Sequence, residues 1–172
     1  LGLKLMHVGI NTGNEEEAMK VANLIGSLLN MKDIWDFAET ADLRELCTVL
    51  QTRCEALSDI PEQVDFIDAL PDYDIELYTS KKMKTTPETA REALTAVLPI
   101  LESLPEWNAE AIHAALFAEI EKLGVKNGWL LYPLRVAVSG KQFTPGGGIE
   151  LAVVLGREET LRRIRTALEK LG

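Results

Sequence analysis

Apolar residues recur three and four positions apart in one stretch of the 172-residue chain after another, the spacing that lines one face of an α-helix. Asn14, with Glu17 three residues later, forms a capping signature. Ala18, Val21, Ile25 and Leu28 follow it, so a first helix is expected to about Met31. Leu43, Leu46, Cys47, Leu50, Cys54 and Leu57 line a second helix, which stops near Ser58 because Pro61 disfavours a helical residue before it. Ser58 and Asp59 supply cap oxygens, and Pro61 suits the first turn of a short helix carrying Val64, Ile67 and Leu70 and ended by Pro71. Thr86 and Pro87 repeat that device ahead of Ala90, Ala93, Leu94, Val97 and Leu101. Asn108 caps a helix bearing Ile112, Leu116 and Ile120, and Gly124 can supply the left-handed residue that ends it.

The segment from Trp129 to Val138 is ambiguous by periodicity, since its aromatic and β-branched content suits a buried strand as well as a helix. Pro133 would cost a central strand one ladder hydrogen bond, so a helix from Pro133 to just before Gly140 is expected. After Thr144, Pro145 and three glycines comes a helix through Leu151 and Leu155, a stop at Gly156, and a last amphipathic helix on Leu161, Ile164 and Leu168. The fold class is therefore all-α. No fixed-period repeat and no low-complexity linker divides the chain, so a subdomain boundary must fall at a short loop, around Leu104 to Asn108.

Charge adds an asymmetry to this picture. The whole chain carries 18 Lys plus Arg against 27 Asp plus Glu, a net −9. Residues 1–121 hold 9 basic and 23 acidic side chains, whereas residues 122–172 hold 9 basic and 4 acidic ones. A basic last third on an acidic body can bind a phosphate backbone locally and repel non-specific contacts elsewhere. The bland alternative makes Arg157, Arg162, Arg163, Arg165 and Lys170 the solvated face of a terminal helix. No apolar run approaches the ~20 residues that cross a bilayer. Cys47 and Cys54 sit seven residues apart on a helix, a rise of about 10 Å. That separation is too long for a disulfide, so reduced thiols and a cytoplasmic location are expected.

Candidate chemistry is sparse. Gly146, Gly147 and Gly148 open a helix after Thr144 and Pro145, which would let backbone N–H groups approach a phosphate or a base. No Gly-Lys-Ser/Thr follows at P-loop spacing, so a nucleotide triphosphate is not expected there. His7 and His113 lack neighbouring thiols or carboxylates at ligand spacing, and no metal site is expected. No nucleophile with a partner base and no isolated carboxylate pair can be assembled, so the chain carries no self-sufficient catalytic site.

Pro133-Leu134-Arg135-Val136-Ala137-Val138-Ser139-Gly140, followed by Thr144-Pro145-Gly146-Gly147 and Glu150-Leu151, resembles the C-terminal anticodon-binding region of bacterial-type glutamyl-tRNA synthetase. Further matches in the same order are Leu57-Ser58-Asp59-Ile60-Pro61-Glu62, Leu77-Tyr78 with Lys81-Lys82-Met83-Lys84-Thr85, Glu106-Trp107, Gly124-Val125-Lys126-Asn127-Gly128, and Leu155-Gly156-Arg157-Glu158. They cover roughly residues 36–172. The resemblance implies a helical bundle of the class I aminoacyl-tRNA synthetase anticodon-binding type. It divides the chain into an N-terminal extension (1–34) and two helical subdomains (35–105 and 106–172). Its implied partners are the anticodon loop of tRNA(Glu) and the catalytic domain of the same enzyme, with no membrane and no DNA. ATP and Mg²⁺ would belong to that catalytic domain, which joins glutamate to tRNA and is absent from this chain; no cofactor is expected here.

The resemblance also assigns residues. Arg135 matches an arginine that faces the anticodon loop, where a planar fork of donors suits a base edge or a phosphate. Thr144, Pro145, Gly146 and Gly147 match a loop that packs against an anticodon base. Arg53 matches an arginine that reads the third anticodon base in some relatives. Local charge makes Lys126 and Lys141 phosphate contacts, whereas Lys81, Lys82 and Lys84 can instead pair with local carboxylates. Two other readings compete. A degenerate or chimeric paralogue would be a structural interaction protein without RNA. A weak likeness of residues 1–31 to the opening of a vicinal-oxygen-chelate domain, through His7-Val8-Gly9-Ile10, would need further metal ligands.

Overall fold

The protein is represented by a computed structural model that describes residues 46, 48–50 and 60–172. The helix expected at Ala18 to Leu28, the cap oxygens of Ser58 and Asp59, His7, both cysteines and Arg53 lie outside the described residues. Of the helix expected around Leu43 to Leu57, Leu46 and 48–50 are helical, and Leu46, Val49 and Leu50 are buried, as their spacing requires.

Five helices follow in chain order: α1 (Ile60–Asp68), α2 (Pro87–Glu102), α3 (Ala109–Leu123), α4 (Asn127–Ser139) and α5 (Gly148–Leu171), with a short 3-10 helix, Ile75–Tyr78, between α1 and α2. Among the described residues there is no strand beyond one isolated bridge, Ser80 to Thr85. The helix starts follow their cap chemistry. Thr86 accepts from the Thr89 N–H and Thr89 returns a bond to the Thr86 N–H, a complete capping box with Pro87 at the first position. Asn108 accepts from the Ala111 N–H at 2.8 Å, and Gly124 ends α3 at φ 66°, in the left-handed region.

Two boundaries differ from the sequence expectation. The helix placed from Pro133 starts six residues earlier, at Asn127, and Pro133 lies inside it. Proline inside a helix forfeits one backbone bond. Here its ring is buried in the core, so packing outweighs that loss. Leu70 falls outside α1, which ends at Asp68. The last two expected helices meet at a kink at Gly156, whose φ of 75° and ψ of 170° a side chain would oppose. The Ala152 carbonyl, in the turn before the break, accepts from Trp107 Nε1 at 3.0 Å and from Thr160 Oγ1 at 3.1 Å.

Helix α4 packs against α5, α2 packs against both, and α3 lies on α2 and α5. One continuous core gathers Leu94, Val97 and Leu101 of α2, Ile112 and Leu116 of α3, Leu130 and Leu134 of α4, and Leu151 and Ile164 of α5. It also takes in Phe66 of α1. Full burial of such a side chain is worth about 1.5–3 kcal/mol.

The terminal basic run is not simply a solvated face. Arg163 is only 1% exposed, and its guanidinium reaches carbonyls at the ends of two other helices. Nη1 donates to Phe66 O at 2.7 Å and to Val138 O at 2.6 Å, Nη2 to Ile67 O at 3.1 Å, and Nε to Glu159 at 2.5 Å. The last carbonyls of α1 and α4 have no intrahelical partner, so one cation on α5 satisfies them and opposes the negative ends of both helix dipoles. Arg157 likewise turns inward, donating to Leu104 O and lying 5.6 Å from the Trp107 ring centroid. Arg162 and Arg165 fit the solvated reading better, in exposed ion pairs with Glu159 and Glu102.

Candidate nucleic-acid interface

The segment between α4 and α5, residues 140–147, is short and tightly pinned. Gly140 closes α4 at φ 66°, with its N–H on Val136 O at 2.8 Å. A Cβ there would come within 2.8 Å of the Pro71 ring, so the turn also needs glycine for space. Ser139 Oγ donates to Arg135 O at 2.7 Å and accepts from the Lys141 N–H at 3.1 Å, which folds the chain back along α4. Thr144 Oγ1 donates to Gly146 O at 2.5 Å, and Pro145 is buried.

Arg135 meets this segment once through its side chain and meets the helix beyond it through its backbone. Its Nη1 donates to Gln142 O at 3.3 Å. The backbone N of Arg135 and Leu131 O would each lie 3.1 Å from a Cβ on Gly148, the first residue of α5. A bare α-carbon is what allows that approach. The guanidinium thus touches the connection two residues before Thr144, and the backbone of Arg135 lies against the residue that follows Gly147. Tyr132 joins them: burial raises its pKa, while the Arg135 charge and a hydrogen bond with the Gln142 side chain oppose that rise. Arg135 Nε is buried and has no hydrogen-bond partner, a rare condition for so strong a donor.

The other expected residues are placed differently. Gly146 backs onto Val49 and Glu150, and a Cβ on Gly147 would lie 2.8 Å from Glu150 Oε2. A carboxylate over the glycine turn repels phosphate and can accept from the amino or imino group of a base. Lys141 is paired with Asp65. Lys126 is exposed at the start of α4, at the far end of that helix from Arg135's loop. The pairing expected of Lys81, Lys82 and Lys84 with carboxylates is not found, for none of the three makes an ion pair with a described residue.

One residue in this segment escaped the sequence reading. Phe143 is 86% exposed, against 39% and 42% for the other exposed large apolar side chains described, Ile75 and Leu123. Its signal was present in the sequence: an aromatic in a Gly/Pro-rich connection too short to fold over it. His113, also exposed, stacks on Phe117 with centroids 3.9 Å apart. Among the described residues no group of three His, Cys, Asp or Glu could hold a metal ion.

Comparison with known proteins gives the family of this fold. The family model described as "Anticodon binding domain" matches residues 17–168. The glutamate–tRNA ligase of Clostridium acetobutylicum is 51% identical over 133 residues, 77% of this chain and 27% of that protein. The same enzyme of Clostridium tetani is 54% identical over 130 residues, 76% of this chain and again 27% of the relative. The chain therefore spans about a quarter of the length of the curated relatives it matches. A glutamate–tRNA ligase structure from Elizabethkingia meningosepticum, in complex with its amino acid, superposes with a TM-score of 0.70 at 25% identity, covering 91% of this chain and 29% of the other. The enzyme from Elizabethkingia anophelis shares the fold, with a TM-score of 0.67 at 20% identity over 93% of this chain and 29% of the other. With most of its length matched by the family model, this chain belongs to the anticodon-binding domain family, in a form similar to that of bacterial glutamate–tRNA ligases.

Proposed function

We propose that the chain reads the anticodon loop of tRNA(Glu) for a glutamate–tRNA ligase acting in the cytoplasm. Attachment of glutamate, with ATP and Mg²⁺, is the work of a catalytic domain of that enzyme and uses no group described here. The observation that supports this reading best is the placement of Arg135, its guanidinium on Gln142 O and its backbone against Gly148, on either side of the Thr144–Gly147 turn in the chain. Its single weak bond to Gln142 O leaves Nη2 of the half-buried guanidinium uncommitted, so that nitrogen can donate to a base edge or a phosphate. The Thr144–Gly147 turn offers backbone groups to the Watson–Crick edge of a splayed-out nucleotide, and Glu150 favours a base over a phosphate at that point. Phe143 adds an exposed ring on which a neighbouring base can stack.

Lys141 beside this centre, when released from Asp65, and Lys126 at the other end of α4 supply phosphate contacts. Arg53, outside the described residues, would read the third anticodon base. We divide the chain at the connection between α2 and α3, residues 103–108, into 35–105 and 106–172, after an extension of 1–34.

Binding of tRNA(Glu) followed as a function of salt tests the reading. The wild-type chain should bind it more tightly than unrelated tRNAs, with affinity falling as salt rises. Arg135→Ala should weaken binding roughly 10- to 100-fold, the size of one good charge-assisted contact set. Equal affinity for all tRNAs, or an Arg135→Ala variant that binds like wild type, would contradict it.

A further inference from the structure

A second basic surface lies at the other end of α4. The chain reverses between Ser80 and Thr85, which exchange backbone bonds of 3.0 and 3.1 Å, and residues 81–84 form the tip. The tip is held on three sides. Thr85, 2% exposed, donates through Oγ1 to Tyr78 O at 2.7 Å, and the Met83 N–H donates to Ser80 Oγ at 3.3 Å. Met83 packs on α4, where a Cβ added to Gly128 would come within 2.5 Å of its sulfur. Lys81, Lys82 and Lys84 are all exposed on this fixed turn, and none pairs with a described acidic group. Lys126, two residues before Gly128, is also exposed and without an ion pair among the described residues.

Lys84 carries a further sign of use. Its φ of 57° makes it the one non-glycine residue described in the left-handed region, where glycine or asparagine sits at least cost. A turn shaped for the fold alone would use one of those. Lysine there strains the backbone and adds a third like charge to a four-residue tip, so both backbone and electrostatics weigh against it in the isolated chain. The first 121 residues carry 23 acidic side chains and 9 basic ones, these three lysines included, so the turn is a cationic island in an acidic stretch of the chain. Such a patch complements a polyanion that touches it locally, while the rest of the surface repels one that does not.

We propose that Lys81, Lys82 and Lys84, with Lys126 beside them, form a platform for the ribose–phosphate backbone of the same tRNA whose anticodon Arg135 reads. The proposal rests on the tRNA-binding reading above and adds a second point of attachment. Arg135 follows Lys126 by nine residues, so the two points are separated by about 14 Å along α4. A stem-loop that spans this distance touches both, its loop on the Arg135 side and its stem phosphates at the Asn127 end.

Salt-dependent binding of a tRNA(Glu) transcript to the full chain tests this with four proteins: wild type, the triple variant K81Q/K82Q/K84Q, the triple variant K81R/K82R/K84R, and Lys84→Gly. The triple glutamine variant should bind about tenfold more weakly at low salt. Its log–log salt slope should be shallower by about 2, since each phosphate contact contributes ~0.7–0.9. The arginine variant should keep the wild-type affinity and slope. Lys84→Gly should melt at a higher temperature than wild type and yet bind tRNA about two- to threefold more weakly. If the glutamine variant keeps the wild-type affinity and slope while Arg135→Ala weakens binding, the platform is refuted and the anticodon reading stands. If the wild-type chain binds no tRNA at low salt, the reading itself fails and takes the platform with it. A Lys84→Gly protein that melts lower and binds normally also refutes the platform.

Discussion

Arg163 and Arg135 lie in the same basic third of the chain, within reach of the same helix α4, and the fold treats them in opposite ways. Arg163 donates to three backbone carbonyls and to Glu159, at distances between 2.5 and 3.1 Å. Its charge is absorbed by helix ends and one carboxylate, and burial lowers its pKa while Glu159 pulls the other way. Arg135 makes one bond of 3.3 Å and buries Nε without a partner. The difference separates a guanidinium committed to the fold from one held in place but under-used by it. An unsatisfied buried donor is costly, so the fold stabilises Arg163 in its place and gains little from Arg135.

That contrast can be broken most sharply at Arg163. Arg163→Met leaves the carbonyls of Phe66, Ile67 and Val138 without a donor, so stability should fall by about 3–5 kcal/mol. The melting temperature should then drop roughly 10 °C in thermal unfolding followed by circular dichroism. Arg135→Ala should change stability by less than about 1 kcal/mol in the same assay. Similar losses from the two would end the distinction. Next in size is Gly148→Ala, whose new methyl meets backbone of α4 on two sides, at Arg135 N and Leu131 O. A loss of about 1–3 kcal/mol in urea titrations is expected, with weaker tRNA binding because Arg135 and the 140–147 segment move apart.

Phe143→Ala sharpens the comparison from the binding side. It should weaken tRNA binding about tenfold while urea unfolding stays within about 0.5 kcal/mol of wild type, since an exposed ring contributes stacking and not core. Loss of stability without loss of binding would point to a role within the fold. Smallest is the pH effect at Glu159. Burial pushes its carboxyl up, but hydrogen bonds from Arg162 and Arg163 outweigh that and leave the pKa below the ordinary 4.5. A lowered folded-state pKa gives stability that is present above the ordinary value and is lost as pH falls through the lowered one. Wild type should exceed Glu159→Gln by less than about 1 kcal/mol at neutral pH, and that margin should shrink below pH 4.5 in denaturation at a series of pH values.

Much of the fold was legible because its determinants are local. Thr86-Pro87, Asn108 and Gly124 end or begin helices through atoms within three or four residues, and apolar spacing picked out Leu94, Val97, Ile112, Leu116 and Ile164 as core. Pro133 misled because its local cost is outweighed by packing from other helices, which no window of sequence contains. In the candidate interface the glycine-rich helix entrance after Thr144 and Pro145 is legible from its residue types, whereas Arg135 is singled out only through family resemblance. Phe143 was passed over because exposure is a property of the surface around a residue and not of its neighbours in the chain.

The sequence alone determined an all-helical chain, the positions of its caps and breaks, and a basic end on an acidic body, since helix periodicity, capping and net charge are sums over near neighbours. Tertiary structure decided which cations are consumed and which are left free. Arg163 and Arg162 are adjacent in the chain, yet one is buried on carbonyls from two other helices and the other is solvated. Partners for a long charged side chain come from distant segments, so that choice exists only once the helices have packed.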